Sequence, residues 1–235
     1  MFIMLDGIDG SGKSTVMRAW KSHLANSGNA VFDLQKYWQE KKQYPKLEET
    51  RAYDFILSCE PTYCGVGSVI RDELIAKNTN YPPIAIAQAY SLDRLVLYNR
   101  IIVPLLKQDK FIIQDRGISS SLVYQPLHDP TLTMNAVCDL LGNQLALKHC
   151  PEHLVIMDID PEEAGARLMA RSDKNDDSLF EKIEFQKKLA EKFMSDDFKS
   201  IFESRGCKIH YLSANVKIDI MNNNAITFLR DIINT

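Results

Sequence analysis

Short apolar runs alternate with amphipathic stretches along almost the whole chain. Residues 2–5, 30–34, 53–58, 111–114, 153–159 and 208–212 read as strands. Between them, apolar positions recur at helical spacing. Val16, Trp20 and Leu24 stand at i, i+4 and i+8, and Gly28 closes that helix. A short helix carries Val69, Ile70 and Leu74. Pro82 and Pro83 open a long helical pattern over 84–107, in which Pro104 marks a kink or the last turn. Asp129-Pro130 suits the start of a helix through Met134, Cys138, Leu141 and Leu145. Asp160-Pro161-Glu162-Glu163 starts another, running to about Arg171. A long helix over 180–204 and a final one through Met221, Ala225, Phe228 and Ile232 complete the pattern.

Strands alternating with helices predict an α/β fold, a parallel sheet covered on both faces. No repeat, low-complexity tract or linker divides the chain, so a single domain over 1–235 is expected. Residues 36–51, charged and aromatic around Pro45, read as a surface insertion, part helix and part loop. Ligands of such sheets bind at the carboxyl ends of the strands, where the loops after residues 5, 58, 114 and 212 converge.

The first of those loops carries the strongest chemical signal. Gly7, Gly12, Lys13 and Ser14 satisfy G-x-x-x-x-G-K-[ST], with a strand before and a helix after. Glycines allow backbone N–H groups to close on an anion, and the helix start adds its positive dipole end. Lys13 supplies a charge for the outer phosphates, and the Ser14 hydroxyl is placed for Mg²⁺. The stretch predicts binding of a nucleoside triphosphate, with Gly7, Asp9, Gly10, Ser11, Gly12, Lys13, Ser14 and Thr15 around it.

Composition narrows the partners. A net charge of −3 gives no cationic field for a nucleic-acid polymer or a membrane surface. No apolar run approaches the ~20 residues of a membrane span. The N-terminus enters the first strand directly, leaving no room for a signal peptide. Five scattered cysteines without C-x-x-C fit reduced thiols, and a cytoplasmic location is expected.

Two further clusters accompany the loop: Tyr90-x-x-Asp93-Arg94, and Asp115-Arg116-x-x-Ser119-x-Ser121-x-x-Tyr124-Gln125. Tyr90 and Arg94 are i and i+4 on a helix, so they share one face and can grip one planar ligand. Asp115 and Arg116 follow a buried strand and emerge at the ligand-binding edge of the sheet.

With these motifs the chain resembles the thymidylate kinase family. The likeness rests on Asp6-Gly-Ile-Asp-Gly-Ser-Gly-Lys-Ser-Thr15, Glu60-Pro61, Gly67-x-x-Ile70-Arg71 and Tyr90-Ser-Leu-Asp93-Arg94. It continues through Ile102-x-Pro104-x-Leu106, the Asp115 to Gln125 cluster, Asp160-Pro161-Glu162 with Arg167 and Arg171, and Leu212-Ser-Ala214. It implies a three-layer phosphate-loop kinase fold, with a mostly parallel five-stranded sheet, helices on both faces and a lid at about 167–180.

By the same resemblance, the γ-phosphoryl group of ATP passes to dTMP, giving dTDP, with Mg²⁺ as cofactor and a homodimer as the assembly. Arg116 holds the acceptor phosphate, a bidentate task suited to guanidinium, and Arg71 can support it. Tyr90 stacks on the base, Arg94 meets its exocyclic oxygen, Ser121 its ring N–H, and Tyr124 crowds the sugar 2′ position. Asp9 contacts the sugar 3′-hydroxyl or the metal shell, Ser14 and Asp115 serve the metal, and Ala214 lies beside adenine. Lys13, Asp9, Arg116, Arg171 and Arg167 form the catalytic set, and the two lid arginines supply charge that Gly10 and Ser11 cannot.

Departures from the family pattern bear on the base pocket. Cys59 stands where many members have Arg, and Gly117 where an aromatic is usual. Two other readings remain: a kinase of another deoxynucleoside monophosphate, or a deoxyribonucleoside kinase using Glu60 as a base on the sugar 5′-hydroxyl. The latter family has Glu-Arg-Ser where this chain has Asp115-Arg116-Gly117. From a different class, a nucleotide-binding switch without transferase activity would keep the loop alone.

Overall fold

Burial follows the apolar runs except at the edge over 208–213, whose residues are half-buried or exposed. The computed structural model describes residues 1–77, 79–170 and 179–233, with the backbone alone at 179–182. The strands are β1 (Phe2–Gly7), β2 (Val31–Asp33), β3 (Phe55–Cys59), β4 (Phe111–Asp115), β5 (His153–Asp158) and β6 (Lys208–Ser213). They form one sheet in the order β2-β3-β4-β1-β5-β6, with every neighbouring pair parallel. The sheet therefore has six strands where the resemblance implied five. Val31–Asp33 pairs with Phe55–Leu57, which makes the short edge run a full member.

The helices in chain order are α1 (Lys13–Asn26), α2 (Leu34–Lys41), α3 (Leu47–Thr50), α4 (Val66–Val69), α5 (Pro83–Leu97), α6 (Val103–Leu106) and α7 (Ile118–His128). Then come α8 (Met134–Cys138), α9 (Leu141–Lys148), α10 (Pro161–Met169), α11 (Leu179–Met194), α12 (Asp196–Glu203) and α13 (Ile218–Ile233). The α1 stripe of Val16, Trp20 and Leu24 is buried, and Trp20 Nε1 donates to Ala225 O of α13 at 2.7 Å. A second group of helices, α5, α7 and α9, packs together.

Pro104 stands in the last turn of the long helical stretch, as expected; it lacks an N–H and its ring crowds the carbonyl four residues back, and the turn before it, Tyr98–Ile102, is a π-helix. Three expected boundaries differ, each for a local reason. Asp129 does not cap a helix. Its carboxylate closes a tight turn by accepting from Thr131 N and Oγ1, and Thr133 caps α8 instead, through Ala136 N at 3.2 Å. The expected helix there is split into α8 and α9. The long helix expected over 180–204 is likewise split, because Ser195 accepts from Phe198 N and starts α12 afresh.

The stretch read as a surface insertion is tied into the core. Trp38 of α2 and Thr50 of α3 are fully buried, and the Trp38 ring meets Tyr44 edge-on at 5.7 Å. Pairing of Leu5 and Cys59 with Asp115 sets the ends of β1, β3 and β4 side by side, with Glu60 N donating to Asp115 O at 3.0 Å. The loops that leave those three strands therefore share one crevice.

Trp38→Ala is expected to lower unfolding free energy by about 3–5 kcal/mol, the cost of deleting a buried aromatic. Urea unfolding measures it, and an unchanged midpoint would mean that residues 36–51 lie outside the core.

Candidate active site

The loop between β1 and α1 is shaped for an anion. Gly10 has φ of +82°, and a Cβ there would lie 2.4 Å from Ala164 O, so the loop closes on α10 only without a side chain. Helix α1 starts after Gly12 with no side-chain cap, which leaves its first N–H groups for a ligand. The Lys13 ammonium folds back onto Gly7 O at 2.9 Å, Ile8 O at 2.7 Å and Ser11 Oγ at 3.4 Å. Burial lowers its pKa to about 8, Arg116 adding to the effect while Asp6, Asp9 and Asp115 oppose it. Ser14 is exposed at the helix start, and Thr15 Oγ1 accepts from Arg18.

Asp6, at the end of β1, is fully buried. Its carboxylate accepts from Gly7 N at 2.8 Å, Ser119 Oγ at 2.5 Å, and Ser120 Oγ at 2.8 and 2.9 Å. Arg116 Nη1 lies 3.5 Å from it, and Arg116 Nη2 pairs with Asp9 of the loop. Arg116 itself has φ of +62°, a left-handed conformation that costs a non-glycine residue free energy. Its N–H donates to Leu5 O at 2.8 Å, its Nη1 to Ser120 Oγ at 3.1 Å, and its guanidinium lies 5.5 Å from the centre of the Tyr124 ring.

One cavity of about 960 Å³ brings most of the expected acceptor residues together. Asp9, Arg71, Tyr90, Arg94, Arg116 and Ser121 all line it, and so do Tyr124, Asp115 and Ser14. Arg94 is 1% exposed, and its buried carboxylate partner Glu60 lies 2.5 Å from Nη2. Arg71 donates to Pro61 O and Thr62 O and lies 3.8 Å over the Tyr63 ring. Cys59, buried and with its thiol pKa raised by burial, lines the same cavity without a charge. The space beside Gly117 is filled by Met4, whose Sδ would lie 2.8 Å from a Cβ there.

For a metal ion the donor set is small. Among the described residues no group of three or more His, Cys, Asp or Glu could hold one. One Asp115 carboxylate oxygen is buried without a hydrogen-bond partner, and burial raises that carboxyl's pKa while Lys13 and Arg116 hold it down. An orphaned carboxylate oxygen and the Ser14 hydroxyl fit Mg²⁺, which takes few protein ligands and completes its shell with phosphates and water.

The remaining expected residues fall elsewhere. Ala214 is buried at the end of β6, its N–H on Asp158 O at 2.7 Å. Arg167, expected over the phosphates, instead donates to Ala214 O at 2.8 Å and to Glu163 at 3.0 Å, because the last turn of α10 faces the loop after β6. Arg171 lies outside the described residues. Asp6, Glu60, Gln114, Ser120 and Asn143 hold the functional arginines; sequence reasoning gave no role to four of them, and to Glu60 only that of a base in the deoxyribonucleoside kinase reading. Asp6 was legible, since a carboxylate ending an apolar strand run needs partners. Asn143 carried no local signal.

Comparison with known proteins gives a consistent picture. A family model described as thymidylate kinase matches residues 36–224. That match begins after the phosphate loop, so the loop and the family are separate observations. A probable thymidylate kinase of Thermococcus onnurineus is 32% identical over 202 residues, 83% of this chain and 82% of the relative. A thymidylate kinase of Caldanaerobacter subterraneus subsp. tengcongensis is 31% identical over 194 residues, 82% of this chain and 79% of the relative.

Lys13 keeps its charge below about pH 8 and loses it as pH rises through that value. A bound triphosphate favours the ammonium form and raises that pKa, so binding at a pH above about 8 takes up a proton. Calorimetry of ATP binding in buffers of different ionisation enthalpy is expected to show uptake growing as pH rises past that value. Affinity should fall in parallel, and the absence of any uptake would contradict this titration.

Proposed function

The chain belongs to the thymidylate kinase family, and from that membership we infer that it transfers the γ-phosphoryl group of ATP to dTMP, giving dTDP for nucleotide biosynthesis. The observation that carries this reading is the single cavity reaching from Asp9 and Ser14 of the phosphate loop to Tyr90, Arg94 and Tyr124. Donor and acceptor can meet there with no covalent intermediate.

Phosphoryl transfer demands in-line placement and neutralisation of charge on the transferring oxygens. Lys13, freed from Gly7 O and Ile8 O, meets the outer phosphates of ATP. Arg116, held by Asp9 and Ser120, takes the acceptor phosphate, with Arg71 of the same cavity in support, since Cys59 offers no charge. Tyr90 stacks on the base, Arg94 donates to its exocyclic oxygen, Ser121 meets its ring N–H, and Tyr124 crowds the 2′ position. Mg²⁺, when bound by Ser14 and Asp115, supplies positive charge to the phosphates. Arg171 adds charge from the lid, and Arg167 braces the adenine side at Ala214.

The deoxyribonucleoside kinase reading requires Glu60 as a base. Glu60 is 5% exposed, with Oε2 accepting from Arg94 at 2.8 Å and Oε1 from Gln114 at 3.0 Å. A carboxylate engaged at both oxygens is poorly placed to take a proton from a sugar.

We further propose a homodimer built on α5 and the start of α9, where Ile84 and Leu92 of α5 and Leu141 of α9 are 42%, 49% and 72% exposed. Five free cysteines support a reducing, cytoplasmic setting. No described helix is long and apolar enough to cross a membrane.

ADP release with ATP, Mg²⁺ and a panel of deoxynucleosides and their monophosphates tests the reaction. dTMP is the expected acceptor, and turnover of thymidine but not dTMP would overturn the assignment. In the same assay Arg171→Ala should lower kcat with little change in the KM for dTMP, and an unchanged kcat would remove the lid role. Sedimentation is expected to give the mass of two chains, and a monomer at assay concentration would refute the dimer.

A further inference from the structure

Arg94 is the most heavily partnered side chain of the cavity. Its Nε donates to Glu60 Oε2 at 2.8 Å, and its Nη2 donates to Ser121 Oγ at 3.1 Å while lying 2.5 Å from the same Glu60 oxygen. Its Nη1 donates to Asn143 Oδ1. Each terminal nitrogen of a guanidinium carries a pair of N–H groups. Nη2 therefore faces two partners, a hydrogen-bonded hydroxyl and an ion-paired carboxylate, and among the described residues the second N–H on Nη1 is left for a ligand. That nitrogen is the one Asn143 holds.

Asn143 is itself fixed from behind. It is fully buried, and its Nδ2 donates to Val137 O at 2.6 Å. A carbonyl at that end requires the amide NH₂, so Oδ1 must face Arg94, and the amide has no alternative orientation. Its place is set by the neighbouring residue. Gly142 N donates to Ser91 Oγ at 2.9 Å, and a Cβ on Gly142 would lie 1.7 Å from Ser91 O. Helix α9 thus sits close enough to α5 for Asn143 to reach Arg94, one turn after Tyr90.

We propose that Asn143 is a positioning residue for base selection: by holding Arg94 Nη1, it aims the one available N–H at the exocyclic group of the acceptor base. A guanidinium can only donate. A fixed donor accepts a pyrimidine with a carbonyl at position 4 and opposes one with an amino group there, which is also a donor. Discrimination of this kind needs the donor held in place, since a mobile arginine would swing away from the mismatch. The proposal deepens the reading of the cavity as a thymidylate site and rests on it.

The test is steady-state kinetics of wild type, Asn143→Ala and Asn143→Asp with dTMP and dCMP, with KM for ATP measured alongside. Wild type should prefer dTMP. In Asn143→Ala the ratio of kcat/KM for dTMP over dCMP should fall about tenfold or more, through KM for dTMP, with KM for ATP unchanged. Asn143→Asp keeps an oxygen facing Nη1 and should retain the ratio, though it loses the bond to Val137 O and should melt earlier. A wild-type ratio near one would overturn the acceptor reading and this inference with it. A normal wild-type ratio that survives in Asn143→Ala, or that collapses in a folded Asn143→Asp, would overturn the inference alone. If Asn143→Ala does not fold, the Asn143→Asp ratio decides.

Discussion

The site depends on one buried carboxylate. Asp6 ends β1 with no exposure to solvent, and a charge in that position persists only if it is fully partnered. Its partners come from two segments more than a hundred residues apart in the chain. Gly7 N–H belongs to the phosphate loop, whereas Ser119, Ser120 and Arg116 belong to the segment after β4. Satisfying Asp6 therefore registers the loop that holds the donor against the segment that holds the acceptor. Asp9 extends the same link, pairing with Arg116 from within the loop. The left-handed backbone of Arg116 is tolerated because Leu5 O, Ser120, Asp6 and Asp9 together over-determine its position.

A second buried charge, Arg94, shapes the other end of the cavity. Removing one partner of a buried ion pair is more costly than the pair is worth, so Glu60, Arg94 and Asn143 behave as a unit. Gln114 of β4 ties Glu60 to the sheet by donating to Oε1 and also donates to Arg116 O at 2.9 Å. The two arginines are thus joined through Gln114, which lies buried behind the cavity wall. Glu60 is removed from acid–base duty by the same bonds that make it a structural anchor.

Much of this was legible in the sequence because it is local. The phosphate loop, the Tyr90 and Arg94 face, and Asp115-Arg116 at a strand end each combine spacing with one element. The strands were legible for the same reason, as apolar runs bounded by turn residues. What escaped was non-local or finely balanced. Asn143 meets Arg94 across 49 positions, and nothing in its neighbours marks it. The breaks at Ser195 and after Cys138 turn on single capping hydroxyls or a few residues of loop, which periodicity does not resolve. Residues 36–51 read as a surface insertion because charges outnumber apolar positions, yet Trp38 and Thr50 are buried and Tyr44 and Leu47 pack against the core.

Arg167 shows where reasoning from a motif reaches its limit. Placed in a lid by resemblance, it instead joins α10 to the loop after β6 through Ala214 O. With Glu163 on its Nε, that guanidinium ties two elements together. The phosphate loop carries no cation other than Lys13, and Gly10 must remain without a side chain against Ala164 O. On the proposed reading the charge on the transferring group is therefore shared between Lys13, Mg²⁺ and Arg116. The tight contact at Gly10 closes one place in the loop from which a basic side chain could reach the phosphates.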